Sequence, residues 1–175
     1  MYTGENPRCQ TRNRKTVYDA RMRRSEKAIE HREEIDQVIR ACTVVRLGLS
    51  ENEQPYVVPL NFGYDGSSLY FHCAREGRKI DILQKNNRVC LEFDIPEEVV
   101  QGEAACAWGM HYRSVIAFGT ARQLSESEDK RRGLEAIMAQ YSDRTFTFPD
   151  AAVERTAVFM VEIEKITGKQ SPRDA

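Results

Sequence analysis

No apolar run in this 175-residue chain approaches the roughly 20 residues that a membrane-spanning helix needs, so no membrane partner is expected. The N-terminal charges have no apolar core behind them, so a secretory signal is not expected and a cytoplasmic setting is. The three histidines are not spaced as a local metal site, and neither a CxxC pair nor an HExxH segment occurs, so no metal is expected. No GxGxxG follows a strand, and no Walker loop or GxSxG elbow appears, which argues against Rossmann, P-loop and hydrolase-type chemistry. Five cysteines, odd in number and scattered, argue for reduced thiols rather than a disulfide framework. His72 and Cys73 are neighbours, but adjacent strand residues face opposite ways and cannot make a nucleophilic dyad. A net charge of −1 gives no global attraction to nucleic acid or to an anionic surface.

What is present is ordinary for one globular domain: 41% apolar and 30% charged residues over a length that can bury a substantial core. Residues 1–24 carry seven Lys/Arg against two acids without apolar periodicity, and read as a loosely ordered basic arm. A domain over residues 25–170 follows, then a polar tail over 171–175.

The richest stretch is PYVVPLNFGYDGSSLYFHCAREGRKIDIL, residues 55–83. Asp65-Gly66 between two apolar-aromatic runs predicts a hairpin. A two-residue loop at those positions would set Pro59 opposite His72 and Asn61 opposite Tyr70. Alternation then puts Pro59, Asn61, Gly63, Tyr70 and His72 on one face, with Leu60, Phe62, Leu69 and Phe71 on the other. The second face is a core, and the first is a candidate site. Pro59 cannot donate to a ladder, so its strand is an edge or is interrupted there. A helix of about two turns is expected from Gly77. Its free amide groups beside Arg78 and Lys79 would suit a phosphate.

Three- and four-residue spacing of Ala28, Ile35, Val38, Ile39 and Cys42 predicts a helix over 25–42. Strands are expected at Thr43–Leu49, Tyr56–Tyr64, Arg88–Ile95, Ala104–Trp108, Tyr112–Leu124 (bent at Gly119) and Ala157–Ile166. An acidic connection spans Pro96–Gly102, and Thr167-Gly168-Lys169 ends the last strand. Ser125-x-x-Glu128 reads as a capping box for a helix burying Leu134, Ile137, Met138 and Tyr141. Strand follows strand more often than helix. The expectation is therefore a mainly β (α+β) fold: a six- to seven-stranded antiparallel barrel, closed or half-open, with flanking helices.

Taken in order, PYVVPLNFGY, LYFH, GRKIDIL, VCLEFD, YRSVIAFGTA and the terminal ITGK resemble the pyridoxamine 5'-phosphate oxidase-like flavoproteins with an FMN-binding split barrel, in particular the nitroimidazole-resistance branch. The resemblance covers about residues 25–170. It implies a homodimer with FMN in grooves at the subunit interface. It also implies that Val58, Pro59, Leu60 and Asn61 line the flavin ring, and that Arg78 and Lys79 meet its phosphate. Ser114, with Tyr112 or Arg113, would complete the contacts, and His72 would sit in the cofactor and substrate cleft. The vitamin B6 oxidases carry an Arg/His motif near their C-terminus. Here the chain ends ITGKQSPRDA, with Arg173 alone beyond the last strand, so oxidation of pyridoxamine phosphate is not expected.

Three functional readings follow. One is an FMN-dependent oxidoreductase passing electrons to a small acceptor, with His72 donating a proton or hydrogen bond. Another is a haem-binding or haem-degrading split barrel with His72 as axial ligand. The third is a flavin-binding stress protein without turnover.

Overall fold

Alternation of large apolar and polar side chains builds the sheet. The computed structural model describes residues 22–171. Strand β2 (Val45–Glu51) buries Val45, Leu47 and Leu49 and turns Arg46 outward. Strands β6 (Arg88–Val100) and β7 (Gly109–Gln123) add Val89, Leu91, Phe93, Val115 and Ala117 to the same interior. The interior is completed by β5 (Ser68–Cys73), with Leu69 and Phe71, and by β8 (Ala157–Ser171), with Phe159 and Val161. Phe62 meets Phe93 edge-on at 5.2 Å between centroids, and Phe71 stacks on Phe159 at 5.1 Å. Such aromatic pairs add to plain area burial.

With β3 (Gln54–Leu60) and β4 (Gly63–Tyr64), these strands form one antiparallel sheet in the order β3-β2-β6-β7-β8-β5-β4; β1 (Ala28–Ile29) adds to β8. Among the described residues no ladder joins β3 to β4, so the curled sheet stays open along one seam. The mainly β, split architecture is as expected, with eight strands among the described residues because β1 and β4 contribute two residues each. A register irregularity between Phe118 and Gly119 supplies the expected bend in β7.

Among the described residues four α-helices flank the sheet: α1 (Arg32–Ala41), α2 (Arg78–Lys85), α3 (Ser127–Ala139) and α4 (Asp150–Arg155). Several expectations are corrected. The first helix starts only at Arg32, because Ser25–Lys27 is a 3-10 turn and Ala28-Ile29 pairs with β8 at Lys169 and Gly168. The Pro96–Gly102 connection is largely strand, with β6 running to Val100, and Ala104–Trp108 holds a 3-10 turn instead of a strand. Strand β8 passes through Thr167-Gly168-Lys169 to Ser171. No capping box forms, because α3 begins at Ser127 and Ser125 Oγ turns to Glu126. The buried stripe of α3 is Lys130, Gly133 and Ile137, while Tyr141 is 38% exposed. Of the N-terminal arm, residues 1–21 lie outside the described residues, as do 172–175 of the tail. No helix among the described residues is long and apolar enough to cross a membrane.

Candidate functional site

The hairpin forms two residues away from its expected register. Gly63 pairs with Tyr70 and Tyr64 with Leu69, so the loop is centred on Gly66-Ser67. Gly66, at φ +100°, takes the first central position, where glycine is favoured. Asp65 fixes this turn: its Oδ1 accepts from the amides of Ser67 (2.8 Å) and Ser68 (2.7 Å), and its Oδ2 from the Tyr70 hydroxyl (2.9 Å). Burial alone would raise the Asp65 pKa, but these hydrogen bonds outweigh it and hold the carboxyl below its ordinary value. A slip of two leaves every residue on its expected face. Leu69, Phe71 and Phe62 are indeed interior, while Pro59, Asn61 and His72 are exposed.

Pro59 does not pair with His72. It lies opposite Arg46 on the edge strand β3, while His72 lies opposite Val158 of β8. After Leu60 the chain leaves β2, and at Gly63 it joins β5. The intervening break is held from outside. The Phe62 amide donates to Tyr141 Oη at 2.9 Å, and that hydroxyl donates to the Thr43 carbonyl at 2.9 Å. A Cβ on Gly63 would lie 2.3 Å from the Ala136 carbonyl carbon, so α3 presses directly on the strand. Gln140 Nε2 donates to the carbonyls of Arg40 (3.0 Å) and Cys42 (2.9 Å), tying α3 to the open end of α1. Helix α3 thus covers the Gly63 and Tyr70 part of the polar face. What remains open is a shallow depression of about 340 Å³ lined by Val44, Pro59, Leu60, Asn61 and His72.

Helix α2 lies at the same seam. Gly77 precedes it at φ +126°, no side chain caps its first turn, and a Cβ there would meet nothing within 4 Å. The Ile80 and Asp81 amides donate to the Gly77 carbonyl, which leaves those of Arg78 and Lys79 to face an anion. The guanidinium of Arg78 sits 4.5 Å above the Tyr56 ring on β3. The ammonium of Lys79 lies 5.7 Å from the Phe71 ring on β5. These two cations, on one helical turn, thus reach core-facing rings of the two strands that border the seam.

The remaining predicted residues distribute as follows. The side chain of Val58 packs against the core, so only its backbone borders the seam. Tyr112, Arg113 and Ser114 are not brought to the depression. Along the curled sheet Pro59 reaches β7 through three ladder steps, Arg46, Glu92 and Ile116, a path of roughly 15 Å to Ile116, with Ser114 two residues further along the strand. Ser114 lies between Asp94 and Lys169 on the outer face, and Arg113 pairs with Glu97 at 2.8 Å. Val44, Tyr56 and Tyr141 were not foreseen. A tyrosine just after a helix and an aromatic opening a strand carry no sequence signal of a site.

The thiols of Cys42, Cys73 and Cys90 are unsuited to nucleophilic work. Burial, helped by Asp94, pushes the Cys42 thiol up to about 11, and burial also raises Cys73 and Cys90. Tyr64 is pushed to about 12 by burial and by its 2.7 Å hydrogen bond to Asp36, so it serves as a neutral anchor.

Comparison with known proteins agrees with this architecture. A protein from Bacteroides thetaiotaomicron, described as a candidate 5-nitroimidazole antibiotic resistance protein, is 35% identical, with a TM-score of 0.75 over 82% of this chain and 86% of its own. An FAD and haem binding protein from Mycobacterium smegmatis shares the fold at 20% identity, with a TM-score of 0.76 over 85% of this chain and 77% of its own. An uncharacterized protein of Rhizobium meliloti is 29% identical over 97 residues, 55% of this chain and 57% of that relative's length. The sequence profile of the pyridoxamine 5'-phosphate oxidase family matches residues 31–170, from the first helix to the end of the last strand, and the chain belongs to that family.

Proposed function

We propose that this chain is a flavoprotein oxidoreductase that binds FMN at the seam between β3 and β5, in a homodimer, and reduces small acceptors of the nitroaromatic class. The observation that carries this reading is the position of α2. Its uncapped first turn carries two cations that reach Tyr56 of β3 and Phe71 of β5, the two strands from which Pro59 and His72 line the depression. A phosphate there would be met by backbone amides, Arg78 and Lys79 together. The exposed backbone of Val58-Pro59-Leu60, on an edge strand, offers unpaired polar groups to a planar ring.

When bound, FMN supplies the electron transfer, taking two electrons from a reduced donor and passing them on. The protein's part is placement and proton supply. Asn61 and the β3 backbone orient the ring. His72 faces the same depression and can hand a proton or hydrogen bond to the acceptor. Tyr112, Arg113 and Ser114 lie too far away to serve the same seam, so in this reading they act on the flavin of a second subunit. The 5-nitroimidazole resistance description of the Bacteroides relative supports the choice of acceptor.

The test is reduction of a nitroimidazole by the FMN-loaded protein under anaerobic conditions, with a chemical reductant as donor. His72→Ala should lower turnover while leaving FMN bound. A loaded protein with no turnover for any donor and acceptor pair would favour the non-catalytic reading. The haem reading draws support from the exposure of His72 and from the Mycobacterium smegmatis relative, whose description includes haem. It would show a Soret band that disappears in His72→Ala.

A further inference from the structure

Among the described residues Lys130, in the opening turn of α3, is the one buried charged side chain, at 8% exposure. An ammonium taken out of water is costly unless it is paired. Here Nζ donates to a single acceptor, the Glu154 carbonyl at the end of α4, over 3.3 Å. An ammonium has three donors, so two are left for something other than the protein.

Lys130 lines a cavity of about 250 Å³ that shares no residue with the depression at Pro59 and His72. Four segments meet around it: the loop after β5 through Arg75, the end of β7 through Gln123 and Ser125, the start of α3 through Ser127, and the end of α4 through Glu154. Arg75 and Ser127 are exposed and make no side-chain hydrogen bond or ion pair among the described residues. Ser125 Oγ has only a long bond, 3.4 Å, to its neighbour Glu126. The Lys130 amide closes the first turn of α3 on the Glu126 carbonyl, and no side chain caps the amides of Ser127, Glu128 and Asp129.

We propose that this cavity is a second anion site that takes a phosphoryl group, with Lys130 at its floor and Arg75 closing it from the loop between β5 and α2. Ammonium, guanidinium, hydroxyl and carboxamide donors converge from segments distant in the chain. Such a set suits a tetrahedral oxyanion with several acceptor oxygens better than a planar carboxylate. Two cations face one carboxylate in the lining, that of Glu154, so the balance favours an anion. The cavity is smaller than those that enclose drug-sized ligands, so it fits inorganic phosphate or the phosphoryl end of a small ester. Occupancy ties the 74–77 loop, which leads from His72 to the Gly77 start of α2, to α3 and α4.

Inorganic phosphate is titrated calorimetrically, in chloride buffer, into the full chain saturated with FMN, so that the turn of α2 is already occupied. Should the chain take up no FMN, Arg78→Ala/Lys79→Ala removes that competing turn, and the outcome stays independent of the flavin reading. The expected result is one phosphate per chain. Arg75→Ala and Lys130→Met should each weaken it roughly tenfold or more, and Glu154→Gln, which removes the like charge, should strengthen it. Arg75 and Glu154 are exposed, so these two variants should fold unchanged even where Lys130→Met does not. Hydrogen exchange locates the ion: phosphate should slow exchange at 75–77 and 127–129. Glycerol 3-phosphate separates the two sources, since tighter binding than phosphate assigns an ester and weaker binding the free ion. No phosphate binding once α2 is occupied or disabled would overturn the proposal. So would an affinity indifferent to Arg75→Ala, or slowed exchange confined to the first turn of α2.

Discussion

Replacing Arg78 and Lys79 together by alanine separates cofactor binding from folding. In the folded chain both cations rest on aromatic rings, at 4.5 Å over Tyr56 and 5.7 Å from Phe71. Each such contact at an exposed site is worth about 0.5–1 kcal/mol, so the double variant should lose no more than about 2 kcal/mol of stability. Toward a bound phosphate, each cation's hydrogen bond to a charged group contributes about 1.5–3 kcal/mol. Losing both removes about 3–6 kcal/mol, which is roughly a hundredfold to ten-thousandfold in FMN affinity. Riboflavin has the same ring and no phosphate, so its affinity should fall less than tenfold. Titration calorimetry with both ligands on both proteins closes the cycle. Equal losses for FMN and riboflavin, or none for FMN, would refute the placement of the phosphate at α2.

Further expectations concern the scaffold and its charges. Gly63→Ala forces a Cβ to within 2.3 Å of the α3 backbone, so calorimetry should show a loss of about 3 kcal/mol, and a neutral result would mean α3 is not seated there. Tyr141→Phe leaves the Phe62 amide and Thr43 carbonyl without their partner, at about 1–2 kcal/mol, with faster hydrogen exchange at Phe62 as the specific sign. Asp65 has a lowered pKa in the fold, so the stability it contributes is present above the ordinary carboxylate pKa near 4 and is lost as pH falls through its own lower value. Asp65→Asn should therefore flatten the acid limb of the stability curve in urea titrations. Cys42, raised to about 11, should resist alkylation at pH 8 while exposed Cys106 reacts, as peptide mapping would show; equal rates would contradict the burial of Cys42.

How much of this was legible in the sequence depended on which physical signal each element carries. The strands at 45–49, 68–73, 88–95 and 112–123 follow period-two alternation. The start of α2 at Gly77 follows from the need for a residue that tolerates φ +126°. The site face survived a mistaken hairpin register, because a slip of two preserves the side of every side chain. Helix α3 was misread because it packs through small residues: Gly133 lies against Val158 and Tyr70, and Ala136 against Gly63. A search for large apolar side chains instead selects Leu134 and Met138, beside that contact line. The 104–108 segment has apolar composition without alternation, and its 3-10 turn answers to local geometry alone. Asn61 and His72 come together across the seam through a break in pairing that no local pattern encodes. Ser114 could be given a role only through resemblance, since its ladder position separates it from Pro59 by three strands' width.

The flavin assignment stands or falls on the absorption spectrum of the full chain purified without added cofactor, read together with the mass of whatever is released on denaturation. Flavin bands near stoichiometric occupancy and the mass of FMN are the expected result. A Soret band without flavin, or a colourless protein that fails to take up added FMN, would contradict it.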